Sequence, residues 1–227
     1  MNNESKLDNP AWYALTETHQ EFAIGTSEIK KYQRYIAPWV AHHSSDKNIL
    51  EQLNPFIEKE ESFYVFDKLP LLTSNFIFEI EVCCLQMICR GELKSIAQTD
   101  FIEKLEDADG EELESLINLV QPGYYNPGTR LMGEYYGIKQ NGALVAAAGE
   151  RIRMNGLTEV SGVVTHPDFT GRKYAQQLVT YVANKIIAKG ITPFLHVAEI
   201  NERAIKIYEH LGFAVRRKIS VWKIKKR

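Results

Sequence analysis

No apolar run in these 227 residues approaches the ~18 positions of a membrane-spanning helix, and the first residues are polar. Neither a membrane span nor a signal peptide is therefore expected. Charge of one sign is also missing. A net charge of -2 leaves no electrostatic footprint for DNA or RNA, so nucleic acid is not an expected partner. Cysteine is scarce: Cys83, Cys84 and Cys89 are three, an odd number in one strand-like run, fitting neither a disulfide framework nor a zinc pattern. They are expected as buried free thiols in a reducing cytoplasm, with no metal. A Gly-x-Gly-x-x-Gly motif is absent, which argues against a dinucleotide-dependent oxidoreductase. What is present is ordinary: 44% apolar and 25% charged residues, in a chain long enough for one large domain or two small ones.

Asn9-Pro10 opens a helix, a cap followed by proline at the first helical position, with Trp12, Leu15 and His19 along it. Strands are expected within 29–41, at 62–66 and at 75–88, with a short helix at 46–57. From Asn75 to Ile88, Phe76, Phe78, Ile80, Val82 and Cys84 share one face while Glu79 and Glu81 lie on the other. Residues 100–120 read as helix, broken at Asp109-Gly110, with Phe101, Leu105, Leu113, Leu116, Ile117 and Val120 as its apolar face. Gln121-Pro122-Gly123 and Asn126-Pro127-Gly128 mark a boundary between segments 1–122 and 123–227. At the end, Lys223, Lys225, Lys226 and Arg227 alternate with Trp222 and Ile224 as on a solvated edge strand.

In the second segment, Asn155-Gly156 between two strands is a hairpin signal. A two-residue loop would pair Met154 with Leu157, Ile152 with Glu159 and Glu150 with Ser161. Glu150 and Glu159 would then sit diagonally on one side of the sheet. The strand from Glu159 runs through Val163, Val164 and Thr165 to a polar turn at His166-Pro167-Asp168. A loop of Thr170, Gly171, Arg172 and Lys173 follows, then a helix from Tyr174 and Ala175 with Leu178, Val179, Val182 and Ile186 on one stripe, closed by Lys189-Gly190. The unbonded N–H groups of its first turn suit a phosphate. Pro193 to Val197 is another strand, parallel to the first across a crossover helix. Asn201 caps a helix with Ala204, Ile207, Tyr208 and Leu211 on its stripe and Gly212 at its stop.

This order, from strand and phosphate loop through the Asn-led helix with a tyrosine to Leu211-Gly212-Phe213, resembles the GNAT superfamily of acyl-CoA N-acyltransferases. The resemblance is marked from Tyr136 onward. It extends upstream to a subgroup whose first half begins with an Asn-Pro-x-Trp segment like Asn9-Pro10-Ala11-Trp12. It implies an α/β fold, a mixed sheet flanked by helices, in which 1–122 is a diverged second copy of the unit in 123–227. Acetyl-CoA is the implied co-substrate, held by Val163, Val164, Thr165, Thr170, Gly171, Arg172, Lys173, Tyr174, Ala175 and Asn201. The family loop carries Arg or Gln and a central glycine where this chain has Thr170 and Lys173, and lysine there needs a backbone that accepts a Cβ.

The resemblance also implies chemistry. Glu159 stands where several members place a catalytic glutamate, and a neighbouring Glu150 would raise one of the two pKa values toward neutrality. Tyr208 stands where the family offers a phenol to the departing sulfur. His196 is a third candidate base, and free N–H groups near Val164 would stabilise the oxyanion. Tyr124, Tyr125, Arg130, Tyr135, Gln86 and Met87 are candidates for the acceptor site. The function expected is acetyl transfer to a primary amine of a small or amino-acid-like molecule, with a second copy of the chain as a candidate partner. A catalytically weak acyl-CoA-binding regulatory module is the alternative, motivated by Thr170 and Lys173.

Overall fold

Short runs of β-branched and aromatic residues, cut by Gly, Pro and Asn, make strand the dominant element. The computed structural model describes residues 3–44, 46–97 and 99–227. The chain opens with helix α1 (Pro10–Thr16) and strands β1 (Ala23–Gly25), β2 (Ile29–Tyr32), β3 (Trp39–His42), β4 (Ser62–Phe66) and β5 (Phe76–Ile88). It continues with β6 (Glu103–Lys104), α2 (Gly110–Val120), β7 (Tyr135–Gln140), β8 (Ala143–Met154) and β9 (Leu157–Thr165). The last elements are α3 (Tyr174–Ala188), β10 (Thr192–Ala198), α4 (Glu202–Leu211) and β11 (Ala214–Lys226). No helix among the described residues is long and apolar enough to cross a membrane.

Among the described residues the strands form one 11-stranded sheet in the order β1-β2-β3-β4-β11-β5-β10-β9-β8-β7-β6. Thus β5, from the first segment, lies between β10 and β11 of the second, and strands from both sides of the turn at 121–123 share the sheet. The β9–α3–β10 crossover gives parallel neighbours, as expected. Successive residues of β10 face opposite sides: Leu195 joins Leu178, Val182 and Ile186 of α3, while Phe194 joins Ala14 and Leu15 of α1. Helix α2 packs Leu113, Leu116 and Ile117 on Ala147 and Val164.

Several expectations change. The basic C-terminal strand is no edge: β11 pairs with both β4 and β5, and Lys223 and Lys225 reach Glu79 and Glu60. Long lysine stems let the charges reach carboxylates while the backbone is enclosed. In β5 a register shift opposite Lys223/Ile224 breaks the alternation, leaving Phe78 46% and Ile80 50% exposed. Helix 100–120 begins only at Gly110, because Glu103 and Lys104 pair with β7 and Glu106 and Asp109 form a capping box. Phe101, counted on its apolar face, is 78% exposed. The helix expected at 46–57 is a 3-10 turn over Ile49–Phe56 containing Pro55. Cys83 is exposed, whereas Cys84 and Cys89 are buried.

Candidate active site

Pairing between β9 and β10 covers only Thr192↔Leu157, Pro193↔Thr158 and Phe194↔Glu159. Beyond Glu159 the two strands part. The inner edges of 160–165 and 195–198 therefore face a gap that the sheet does not close. Two irregularities in the β8–β9 ladder shape its wall. Between Ser161↔Gly149 and Val164↔Ala147 the extra residue is in β9, and between Glu150↔Val160 and Arg153↔Thr158 it is in β8. Gly162, in the first irregularity, has φ 61°, and a Cβ there would stand 2.9 Å from Tyr135 Cε1, so only glycine fits without displacement.

The gap opens into a cleft of about 1020 Å³ lined by Val163, Thr165, Thr170, Gly171, Arg172, Lys173, Tyr174, Ala175, Asn201 and Tyr208. Nine of the ten residues expected around the donor thus meet in one place. Val164 does not line it; its side chain is buried with Leu113 and Tyr135. Lys173 is the N-cap of α3 with φ 63°, a left-handed backbone that costs a non-glycine residue roughly 1–2 kcal/mol. The loop therefore keeps the conformation a glycine would take. Asn201 caps α4, its Oδ1 accepting from Ala204 N at 3.1 Å, as expected.

A second cavity of about 560 Å³ lies across the split, lined by Trp39, Phe66, Val82 and Cys84 of the first segment and by Arg151, His196 and Val221 of the second. Gln121, Val163, Ile200, Asn201 and Tyr208 line both cavities, so the two spaces meet there. Tyr208 is buried and its hydroxyl has no hydrogen bond to a described residue; burial pushes its pKa up to about 12.

Glu159 is buried beneath the second cavity. Arg151 holds it with Nε to Oε2 and Nη2 to Oε1, each 2.9 Å; His196 Nδ1 lies 2.8 Å from Oε1, and Ile152 N donates to Oε2 at 3.3 Å. Burial alone would raise its pKa, but the Arg151 charge and the bonds from His196 and Arg151 outweigh it and hold the carboxyl at about 2. Gln86 completes the cluster. Its Nε2 donates to Leu7 O at 2.8 Å and lies 3.0 Å from His196 Nε2, while its Oε1 accepts from Arg216 Nη1 at 2.9 Å. With the amide fixed by those two partners, His196 carries its proton on Nδ1 and its lone pair on Nε2.

Glu150 is elsewhere. The expected register sets it beside Glu159, but the extra residue in β8 pairs it with Val160, which packs among the α3 side chains on the other face. There it meets Lys189 at 3.3 Å, in a group with Glu134 and Lys104. Of the acceptor candidates, Tyr124 lines the second cavity and Gln86 braces His196. Tyr125 and Tyr135 are buried edge to face, Met87 is core, and Arg130 pairs with Asp107. Trp39, Phe66 and Arg151 escaped notice in the sequence because each reads as an ordinary strand residue and the three meet only through sheet pairing.

Residues 135–222 match a family model described as FR47-like protein. A GNAT-family acetyltransferase from Novosphingobium aromaticivorans is 29% identical, covering 97% of this chain and 98% of that one, with a TM-score of 0.89. GCN5-related N-acetyltransferase structures share the fold at lower identity. The one from Kribbella flavida is 14% identical, with TM-score 0.66 over 95% of this chain and 93% of its own. The N-acetyltransferase-like protein from Streptococcus suis is 12% identical, with TM-score 0.62 over 98% and 96%. No curated protein matches in a sequence search.

Proposed function

We propose that this chain, which belongs to the GNAT superfamily of N-acyltransferases, transfers an acetyl group from acetyl-CoA to the primary amine of a small molecule. The observation that carries the reading is the junction of the two cavities at Tyr208 and Val163, where a donor held on one side can meet an amine from the other. The diphosphate sits at the mouth of α3, where unbonded N–H groups and the helix dipole favour an anion. Because these donors are backbone, replacing the family's long polar residue by Thr170 leaves them in place; Lys173 and Arg172 add cations at the rim. The pantetheine arm runs along 163–165, and the acetyl carbonyl lies near the split.

The amine attacks the thioester carbonyl, and collapse of the tetrahedral adduct breaks the C–S bond. Tyr208 meets the departing sulfur. With its pKa near 12 against a thiol's ~8.5, it stabilises the thiolate by a hydrogen bond instead of surrendering its proton. His196 takes the amine proton on Nε2, directly or through water. Glu159, saturated by its donors, is better suited to fix the imidazole tautomer and to stabilise the imidazolium than to act as the base. The incoming group displaces the Gln86 N–H, which costs ~1 kcal/mol as one neutral hydrogen bond. Glu150 takes no part.

Calorimetry with coenzyme A, followed by thioester consumption on a panel of amines, tests this reading. Micromolar CoA binding with amine-dependent turnover is expected. Binding without turnover on any amine would leave only an acyl-CoA-binding module.

A further inference from the structure

The chemistry of the second cavity names its guest more closely, provided the transferase reading holds. We infer that the acceptor is an α-amino acid with an aromatic or large apolar side chain, and that polycationic amines are excluded. Among the described residues the lining contains no aspartate or glutamate, and its one formal charge is Arg151. Glu159, behind Arg151 and His196, is already neutralised by that arginine, and Glu199, between the lining residues Ala198 and Ile200, is paired with Lys218. A polyamine would bring several positive charges to a wall with no free anion, whereas polycation sites need carboxylates to offset desolvation.

The unspent hydrogen-bonding groups are donors. Trp39 is only 3% exposed, yet its indole N–H has no partner among the described residues. Buried polar atoms of that kind are uncommon and mark a place for a missing acceptor. The Arg151 guanidinium lies over the Trp39 ring, 5.1 Å from its centroid, and its Nη1 makes no hydrogen bond to a described residue. A carboxylate is the acceptor whose charge matches Arg151 Nη1, and a small turn of the enclosed indole N–H toward it would supply the second donor. Arg151 and His196 contact the same oxygen of Glu159, through Nη2 and Nδ1, and both line the cavity, so one guest can reach both side chains. An α-amino acid carries its amine and carboxylate on one carbon and can satisfy both. Its side chain then falls among Phe66, Tyr124, Val82 and Val221. With no free carboxylate in the lining, nothing there holds an ammonium, which favours the neutral, nucleophilic amine.

In the transfer, the α-amine lone pair forms the new C–N bond, the C–S pair leaves on sulfur, and the amine proton passes to His196. The products are an N-acetyl amino acid and CoA.

The test compares kcat/KM for phenylalanine, phenethylamine and spermidine with acetyl-CoA as donor. Phenethylamine keeps ring and amine but lacks the carboxylate. Phenylalanine is expected to lead phenethylamine at least tenfold, with no turnover of spermidine. In Trp39→Phe that lead should narrow about fivefold, chiefly through KM for phenylalanine. The ratio of two substrates on one preparation does not depend on how much of the variant is folded. Equal rates for phenylalanine and phenethylamine, or faster turnover of spermidine, would overturn the inference while leaving the transferase reading intact. An unchanged lead in Trp39→Phe would also overturn it. No transfer to any amine would bring down both.

Discussion

The two cavities on either side of Tyr208 are built from different materials. The cleft proposed for the donor is lined mainly by two local stretches, 163–176 and 200–208, and would work through backbone N–H groups at a helix mouth. The second cavity collects residues from β3, β4, β5, β8, β9, β10 and β11, and is organised by one buried ion pair and the groups it braces. A backbone site tolerates changes of residue type because its donors are the same in nearly every residue. A side-chain site does not, since Arg151, Glu159, His196 and Gln86 hold one another in place. Thr170 and Lys173 can therefore stand in the first, while nothing obvious replaces Arg151 in the second.

The sharpest way to break this contrast is Arg151→Met. It leaves Glu159 buried without its counter-ion, and denaturant unfolding should show a loss of ~3–5 kcal/mol. Adding Glu159→Gln to that variant should recover at least half, because the stranded charge is gone; no recovery would mean that Arg151 acts through packing alone. Next in size, Tyr208→Phe should lower kcat ~10–100-fold, about 1.4–2.7 kcal/mol, with CoA affinity unchanged by calorimetry. A change in affinity with kcat intact would place Tyr208 in donor binding instead.

Acid should act on the buried polar side chains in separable windows. Glu159 has a folded pKa near 2, below the ordinary 4.5, so its stabilisation is complete above 4.5 and lost as pH falls toward 2. His19, between Tyr32 and Met132 O, is held at about 4 by burial, aided by the Arg153 charge, against an ordinary 6.5. Only the unfolded chain then takes up that proton, so stability should fall as pH drops from 6.5 to about 4. Unfolding measured across pH should show both slopes, and His19→Gln should flatten the upper one alone. The smallest effect belongs to the donor loop: Lys173→Gly relieves the left-handed backbone but loosens the unfolded chain, for a net change under ~1 kcal/mol. CoA affinity should fall a few-fold through the lost charge, and a hundredfold loss would show that the loop depends on its side chains after all.

The cleft at the mouth of α3 was readable in advance because it is local. Strand, turn, orphan N–H groups, helix and the Asn201 cap follow one another in the chain, and their spacing carries the geometry. The hairpin at Asn155-Gly156 was equally plain, yet the register beyond it was not. One extra residue in β8 moved Glu150 to the opposite face and separated two carboxylates that simple pairing had joined. A bulge leaves no firm mark in composition, and its effect is total because side chains alternate with a period of two.

The same limit applied to the C-terminal strand, whose lysines alternate as on an edge although neighbours flank it on both sides. Local order determined the loop that enters α3, the capped helices and the position of Tyr208, since these depend on residues a few places apart. Tertiary structure alone decided which strands flank β11, that Glu159 is occupied by Arg151, and that Phe66 packs against both Trp39 and His196. Those outcomes depend on long-range pairing, where a shift of one residue turns a side chain from cavity to core.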